Sequence, residues 1–438
     1  MPEIFSFYRS INRIICYNNQ KVIIMNENMD SNGKYLFVSG VAPLKKMRVK
    51  TAQFINGVAC HLIPWKSPKL LANYDFLVKK YKEKGKKHIL IVADKSVYQL
   101  GLLKCLLDTL NKAKIKYSIF TDINPNPTIT NINNGRDFYL SEKCDSIIAI
   151  GGGSAMDAGK SIGILITNKK PINKYKGLFK VRHPLPLLSA IPTTCGTGSE
   201  TTLAAVILDD ATGKKYPIES NKIVPSYALL DVNLIRDLPK NVFAQTGMDA
   251  LTHAIEAYLN NYGTHKTRQM ALKAINIISQ YIQVGYFGDI HARSEMLKAS
   301  YLAGKAFNRA MVGNCHAIAH AIGGKYNLPH GYLNAIILPV ILTTYYTRAT
   351  SKLDIISKSF GVSSGHDKKQ NAINVIERIQ ELNRLFGLPN YIEQIKDEDI
   401  PQLAQSAYKE AVPLYPTPLV YSYKDFERVI KYLQTKKD

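Results

Sequence analysis

Four short apolar runs in the first half of the chain limit its fold more than any other feature. They are H-I-L-I-V-A (88–93), Y-S-I-F-T (117–121), S-I-I-A-I (146–150) and L-L-S-A-I-P (187–192). Helical patterns lie between the first three, near 97–114 and 128–142, and another helix follows from 154. Near-continuous β-rich runs separated by ten- to fifteen-residue helices predict parallel βαβ units, with strands buried on both faces. After about residue 240 such runs stop. Helical periodicity continues to the end, interrupted by turn signals at Gly263, Gly288, Gly323-Gly324, Pro329, Gly361 and Pro389. The expected plan is an α/β domain over 47–237 and an all-helical domain over 238–438, with the boundary near Leu238-Pro239. No internal repeat is visible.

Composition removes several function classes. Of the 438 residues 46% are apolar and 21% charged, as in globular proteins. No apolar run reaches eighteen residues. The greasiest stretch, 332–346, is broken by Asn334 and Pro339, so no membrane span is expected. The formal charge is +23, from 57 Lys and Arg against 34 Asp and Glu. The lysines are spread along the chain and form no block, which reads as a basic solvated surface and not as specific nucleic-acid recognition. Six cysteines, at 16, 60, 105, 144, 195 and 315, include no C-x-x-C pair. A reducing, cytoplasmic setting follows. Residues 1–46 differ from the rest. I-F-S-F-Y-R-S-I-N-R-I-I has helical spacing but lacks a signal-peptide core and cleavage site, and M-N-E-N-M-D-S-N-G-K (25–34) is polar and turn-forming. This segment is expected to be a poorly ordered extension.

S-I-I-A-I-G-G-G-S-A-M-D-A-G-K (146–160) joins a buried strand to a helix through three glycines. Glycines let a backbone approach a ligand closely, and the helix start offers free N–H groups and a positive dipole end, which suits a pyrophosphate. Ser154 and Asp157 stand three apart and read as a capping arrangement. Asp94 ends the first strand at the carboxyl edge of the sheet, where an acid can accept bonds from ribose hydroxyls and repel a 2′-phosphate. I-P-T-T-C-G-T-G-S-E (191–200) follows the fourth strand and is rich in hydroxyls and small residues.

In the second half, Asp249 and His253 are four apart on a helical pattern and share a face. His316 and His320 repeat that spacing, and His330 follows a Gly-Gly stop and Pro329. One Asp and three His, drawn from three places, make a workable ligand set for a divalent transition metal. Spacing leaves open which histidine stays off the metal.

Together these motifs resemble a known family. G-G-G-S-x-x-D-x-x-K, I-P-T-T-x-G-T-x-S-E, G-M-D-A-L-T-H-A-I-E-A-Y and H-x-x-x-H-x-x-G-x-x-Y-N-x-P-H-G occur in the order found in the iron-containing (group III) alcohol dehydrogenases. P-N-P-T (125–128) and D-E-D-I-P-x-L-A-Q-x-A (397–407) add to the resemblance, which runs from roughly 60 to 430. It implies the dehydroquinate synthase-like fold of that family, an α/β dinucleotide-binding domain and a helical domain with the site between them. It implies Asp249, His253, His316 and His330 as metal ligands and leaves His320 off the metal, near the nicotinamide. It assigns Asp94, Asn126, Gly152, Gly153, Ser154, Asp157, Thr193, Thr194 and Lys215 to the cofactor. The implied reaction is hydride transfer between a primary or secondary alcohol, or its aldehyde or ketone, and NAD(H). The implied metal is ferrous iron, with zinc as the alternative, and a homo-oligomer, dimer or higher, is expected. A zinc-type glycerol dehydrogenase or a maleylacetate reductase-like relative would use the same scaffold. A basic surface-binding protein on a retired enzyme scaffold would show broken ligands. Two positions depart from the family pattern: Cys195 stands where Ala is usual, with the cofactor pocket as its expected neighbour, and Val232 where Pro is usual.

Overall fold

The structure, a computed structural model, describes residues 66–436 continuously, with 16–18, 21–23 and residues 38, 40, 49, 51 and 53. Most of the 1–46 extension therefore lies outside the described residues. Strands β1 (Cys16–Asn18) and β2 (Lys21–Ile23) form an antiparallel pair. From that segment Val38 packs against the helical core, and Gly40 donates its N–H to Asp425 Oδ2 at 3.0 Å.

The α/β domain holds β3 (Lys69–Leu71), α1 (Tyr74–Glu83), β4 (His88–Ala93), α2 (Lys95–Gln99), α3 (Lys104–Lys112), β5 (Lys116–Phe120), α4 (Ile129–Ser141), β6 (Ser146–Gly151) and α5 (Gly153–Thr167). β7 (Gly177–Leu178), β8 (Leu187–Pro192), β9 (Ala204–Asp209), β10 (Lys214–Glu219) and β11 (Tyr227–Leu229) complete it. Six strands form one parallel sheet in the order β3-β11-β8-β6-β4-β5. Every residue of β4 and β6 is buried, and alternation divides them between two cores. Leu90, Val92, Ile147 and Ala149 pack with α4 and α5, whereas Ile89, Ile91, Ile148 and Ile150 pack with α1 to α3. The chain runs outward from β4 to β5 and then returns past β4 to β6. That reversal puts a topological switch point between β4 and β6, where open α/β sheets bind ligands beyond the strand ends. Asp94 and Gly151–Ser154 lie there.

Two expectations need correction. The helix read over 97–114 is two helices, split at Gly101, whose φ of 69° is left-handed. The four expected strands are also not the whole β content. β3 and β11 extend the sheet, and β7-β10-β9 form a small second sheet covering α5.

The second half is helical: α6 (Lys240–Leu259), α7 (His265–Tyr286), α8 (Ile290–Ala310), α9 (Asn314–Tyr326), α10 (His330–Ser359), α11 (Lys368–Leu385), α12 (Ile400–Leu414) and α13 (Tyr423–Gln434). Among the described residues no helix is long and apolar enough to cross a membrane. The loop after β8 wedges between the domains. A Cβ on Gly196 would lie 2.5 Å from Thr246 O on α6, and one on Gly198 2.7 Å from Gly304 Cα on α8. Lack of space, as well as hydroxyl chemistry, accounts for the small residues there.

Candidate metal centre and cofactor crevice

Helix α6 presents Asp249 and His253 on one face, α9 presents His316, and α10 opens on His330 directly after Pro329. One ligating atom from each of these four side chains lies within 4.8 Å of the others. His253 Nδ1, His316 Nε2 and His330 Nε2 are 3.9, 3.9 and 3.5 Å from Asp249 Oδ1. Asp249, His253 and His316 are buried, and His330 forms the partly open side.

The donor set suits a cation. Asn334 Nδ2 stands 2.7 Å from Asp249 Oδ1, 3.2 Å from His316 Nε2 and 3.0 Å from His330 Nε2. One amide has two hydrogens and cannot satisfy three acceptors. His253 Nδ1 is buried with no hydrogen-bond partner. Burial holds His316 well below the ordinary imidazole pKa, with the neighbouring histidines adding to the effect. Burial pushes His330 down to about 4 and lowers His253, against the pull of Asp249 in both cases. Neutral imidazole is the form that ligates.

A further carboxylate braces this set. Glu256, one turn beyond His253, accepts from Gly313 N at 2.7 Å and Cys315 N at 2.8 Å. It thereby satisfies N–H groups at the start of α9, where the N-cap residue Gly313 has no side chain to do so. It also pairs with His316 Nδ1 at 2.6 Å, which directs Nε2 toward the ligand set. A Cβ on Gly313 would sit 2.6 Å from Glu256 Oε1. His253 stacks on Phe307, ring centroids 4.1 Å apart.

His320 is not among the four convergent groups. Its ring stacks on His330 at 5.1 Å, and Nδ1 lies 2.7 Å from Glu410 Oε1 on α12. Burial is the largest single influence on its pKa and lowers it. The charge and hydrogen bond of Glu410, with Asp249 and Glu256 behind, outweigh burial and leave it raised.

Most of the expected cofactor residues lie around the switch point, and several are bonded within the protein. Asp94 Oδ2 accepts from Gly152 N at 3.4 Å. Burial raises the Asp94 carboxyl, partly offset by that N–H. A Cβ on Gly151 would lie 2.6 Å from Asp94 Oδ2 and 2.5 Å from Ala155 Cβ. A Cβ on Gly152 would meet Thr194 Cγ2 at 3.8 Å and one on Gly153 would meet Thr197 Cγ2 at 3.2 Å, so the Thr-rich loop faces the glycine turn. Ser154 Oγ donates to Pro125 O, and Asn126 Nδ2 reaches across to Asn327 Oδ1 on the helical domain at 3.1 Å. Thr193 N donates to Gly151 O at 2.9 Å, while Thr194 Oγ1 is buried without a partner. Lys215 is exposed on β10, where its charge helps to lower the His330 pKa.

Ser154 and Asp157 do not form the expected capping arrangement. The N-cap is Gly152, with no side-chain cap bond. Asp157 instead accepts from Ser199 Oγ at 2.8 Å and Val206 N at 2.9 Å. Beside it the wholly buried Lys160 donates to Ser199 Oγ, Thr202 Oγ1 and Ala204 O at 2.9, 2.9 and 2.7 Å. Burial brings the Lys160 pKa down to about 8, against the pull of Asp157 and Glu200. This pair clamps the Thr-rich loop to α5.

Comparison with known proteins is decisive. The model of "Iron-containing alcohol dehydrogenase" matches residues 72–232, and that of the "Fe-containing alcohol dehydrogenase family, C-terminal" matches 243–433. The chain belongs to the iron-containing alcohol dehydrogenase family. It is 37% identical to the NAD-dependent methanol dehydrogenase of Bacillus methanolicus, over 80% of this chain and 93% of that protein. It is 36% identical to the 1,3-propanediol dehydrogenase of Klebsiella pneumoniae, over 74% and 86%. A crystal structure of 1,3-propanediol oxidoreductase superposes with a TM-score of 0.81 at 32% identity, covering 84% of this chain and 99% of that one. As a member of that family, the protein is an oxidoreductase acting between alcohols and aldehydes.

The two departures from the family pattern both pack on the helical core. Cys195 is fully buried within the helical core, its Sγ 3.5 Å from Thr246 Oγ1 on α6. Val232 packs partly buried against the same core. Sequence reasoning missed Glu256, Asn334 and Glu410 as site residues. The first two carried a signal. Glu256 is an acid three residues after His253 on a buried helix, and Asn334 stands four residues after His330 in an apolar run.

Proposed function

We propose that Asp249, His253, His316 and His330 hold a divalent metal, ferrous iron first and zinc as the alternative, and that the Asp94–Gly151–Ser154 crevice holds NAD(H). The reaction is hydride transfer between a small alcohol and its aldehyde or ketone. The observation that carries this reading is the convergence of four ligating groups whose lone pairs exceed the donors the chain supplies. A metal held there supplies Lewis acidity to the substrate oxygen. NAD(H), whose name also qualifies the Bacillus methanolicus relative, supplies the hydride acceptor and donor. The chain's own residues orient and insulate. Glu256 and Asn334 fix the ligand rings and carboxylate. Asp94 meets the cofactor's ribose side and disfavours a 2′-phosphate. His320, one turn from His316 but off the ligand set, faces the substrate and nicotinamide.

The intact donor set weighs against a retired scaffold and against a metal-free relative. Four free cysteines among the described residues, Cys105, Cys144, Cys195 and Cys315, support a cytoplasmic setting. Assembly into a dimer or higher oligomer is part of the same reading and is measured by light scattering.

The test is to strip the protein with a chelator and reload it with ferrous ion without oxygen, or with zinc. Metal content and NADH formation are then followed over a panel of primary and secondary alcohols. Turnover should vanish on stripping, return most strongly with ferrous ion and decline in air. Undiminished turnover in stripped protein would overturn the assignment.

A further inference from the structure

We propose that Glu410 is the positioning residue that sets the tautomer and in-plane orientation of His320, with Tyr415 holding Glu410 in place. This rests on the reading that His320 faces the substrate. Glu410 Oε1 receives Tyr415 Oη at 2.6 Å and lies 2.7 Å from His320 Nδ1. A carboxylate has only acceptors, so the short contact requires Nδ1 to carry the imidazole hydrogen. In the neutral imidazole Nε2 is then the lone-pair nitrogen, able to accept the hydrogen of a substrate hydroxyl. Stacking on His330, 17° from parallel, fixes the plane of the ring but leaves rotation within that plane open. The side chain is 40% exposed, so packing does not supply the remaining restraint. The hydrogen bond to Glu410 does.

The support behind Glu410 is built in. Tyr415 is buried just beyond the end of α12. Its carbonyl accepts from Thr417 N at 2.9 Å and from Gln53 Nε2 at 2.8 Å, and Gln53 also donates to Val412 O at 2.9 Å. Gln53 is buried, so these bonds are shielded from water and tie a residue from the start of the chain to the end of the helix that carries Glu410. The arrangement parallels Glu256 and His316 on the metal side. In each pair a carboxylate takes Nδ1 and frees Nε2. One Nε2 faces the ligand set, and the other stays off it.

The test uses the full-length metal-loaded enzyme with Glu410→Ala, Glu410→Gln, His320→Ala and the Glu410→Ala/His320→Ala double variant. Loss of the orientation alone, with the imidazole still present, should lower kcat about 30-fold in Glu410→Ala, less than the roughly 10²- to 10⁴-fold of a whole positioned acid–base group. Metal per chain and the KM for alcohol should be unchanged. Glu410→Gln keeps an oxygen that can accept Nδ1–H and should recover to within about threefold of wild type. In the His320→Ala background Glu410→Ala should cost nothing more, because the two act as one unit. Independently of turnover, ¹⁵N spectra of histidine-labelled, metal-free protein should show His320 with Nδ1 protonated in wild type. In Glu410→Ala they should show tautomer averaging. Equal losses from Glu410→Ala with and without His320, or a His320 bearing its hydrogen on Nε2, would overturn the proposal. Impaired His320→Ala beside unimpaired Glu410→Ala would overturn it alone, whereas an unimpaired His320→Ala would remove the functional reading beneath it.

Discussion

The two halves of the site differ in how far the chain satisfies itself. In the metal cradle, three acceptors share one amide group and His253 Nδ1 has no partner. In the crevice, Asp94 is paired with Gly152 N, Ser154 with Pro125 O, Asn126 with Asn327, and Asp157 with Ser199 and Val206. The first arrangement leaves buried acceptors costly until a cation meets them. The second leaves these groups paired within the protein before any cofactor arrives. That contrast fits a resident metal beside a cofactor that exchanges at every turnover.

The largest expected effect comes from breaking the cradle. His316→Ala removes one ligand and strips Glu256 of its imidazole partner. It should abolish metal retention and lower turnover by more than about a thousandfold, with binding in the crevice retained. Elemental analysis beside NADH fluorescence titration checks this. Loss of NADH binding in step with loss of metal would show that the two halves are not independent.

A smaller step in the same half is Glu256→Gln. The amide can still meet His316 or the α9 N–H groups, but not all three at once. Outer-sphere partners of metal-bound histidines are worth about 10- to 100-fold in affinity. The dissociation constant for zinc, measured by competition with a chelating dye, should rise by that range. An unchanged constant would reduce Glu256 to a helix cap.

How much of this contrast was legible beforehand follows the range of the interactions. The strands 88–93 and 187–192 are β4 and β8 without adjustment, because continuous burial leaves an apolar run. Part of the cradle was legible too. Helical spacing puts Asp249 over His253, and a packed apolar core has no use for three imidazoles within nineteen residues, but spacing left open which histidine stays off the metal, and only the family resemblance set His320 aside. The hairpin β9–β10 was not legible. Lys214 and Lys215 both stand exposed at its start, and Pro217 within the strand argues against one, although Gly213 at φ 67° marks the turn. The capping reading of Ser154 and Asp157 failed because the partners of Asp157, Ser199 and Val206, lie 42 and 49 residues away. Glu410 is 90 residues from His320. Local rules see neighbours along a helix and miss partners that the topology delivers.

On the crevice side, Asp94→Gly should act on cofactor choice. The carboxylate is partly buried, so its field is poorly screened. Removing it should raise the kcat/KM for NADP by about tenfold, or about 1.4 kcal/mol, and narrow the preference for NAD. Steady-state kinetics with both cofactors gives the ratio. A wild type that already prefers NADP would break the assignment of Asp94 to the ribose side.

The smallest effect sharpens the comparison at an exception. Thr194 Oγ1 is a crevice group that is buried and unpaired, so it resembles the cradle and not its own surroundings. If the cofactor completes it, Thr194→Val should weaken NADH binding about fivefold, the loss of roughly one ordinary hydrogen bond. The same substitution replaces an unsatisfied hydroxyl with a methyl group of nearly the same shape. The cofactor-free protein should therefore become more stable, by up to about 1 kcal/mol. The two signs are opposed, and a general packing defect cannot produce both. Fluorescence titration gives the first and urea unfolding of cofactor-free protein the second. A variant that lost stability and kept its NADH affinity would show that Thr194 belongs to the packing of the loop, leaving the crevice self-satisfied throughout.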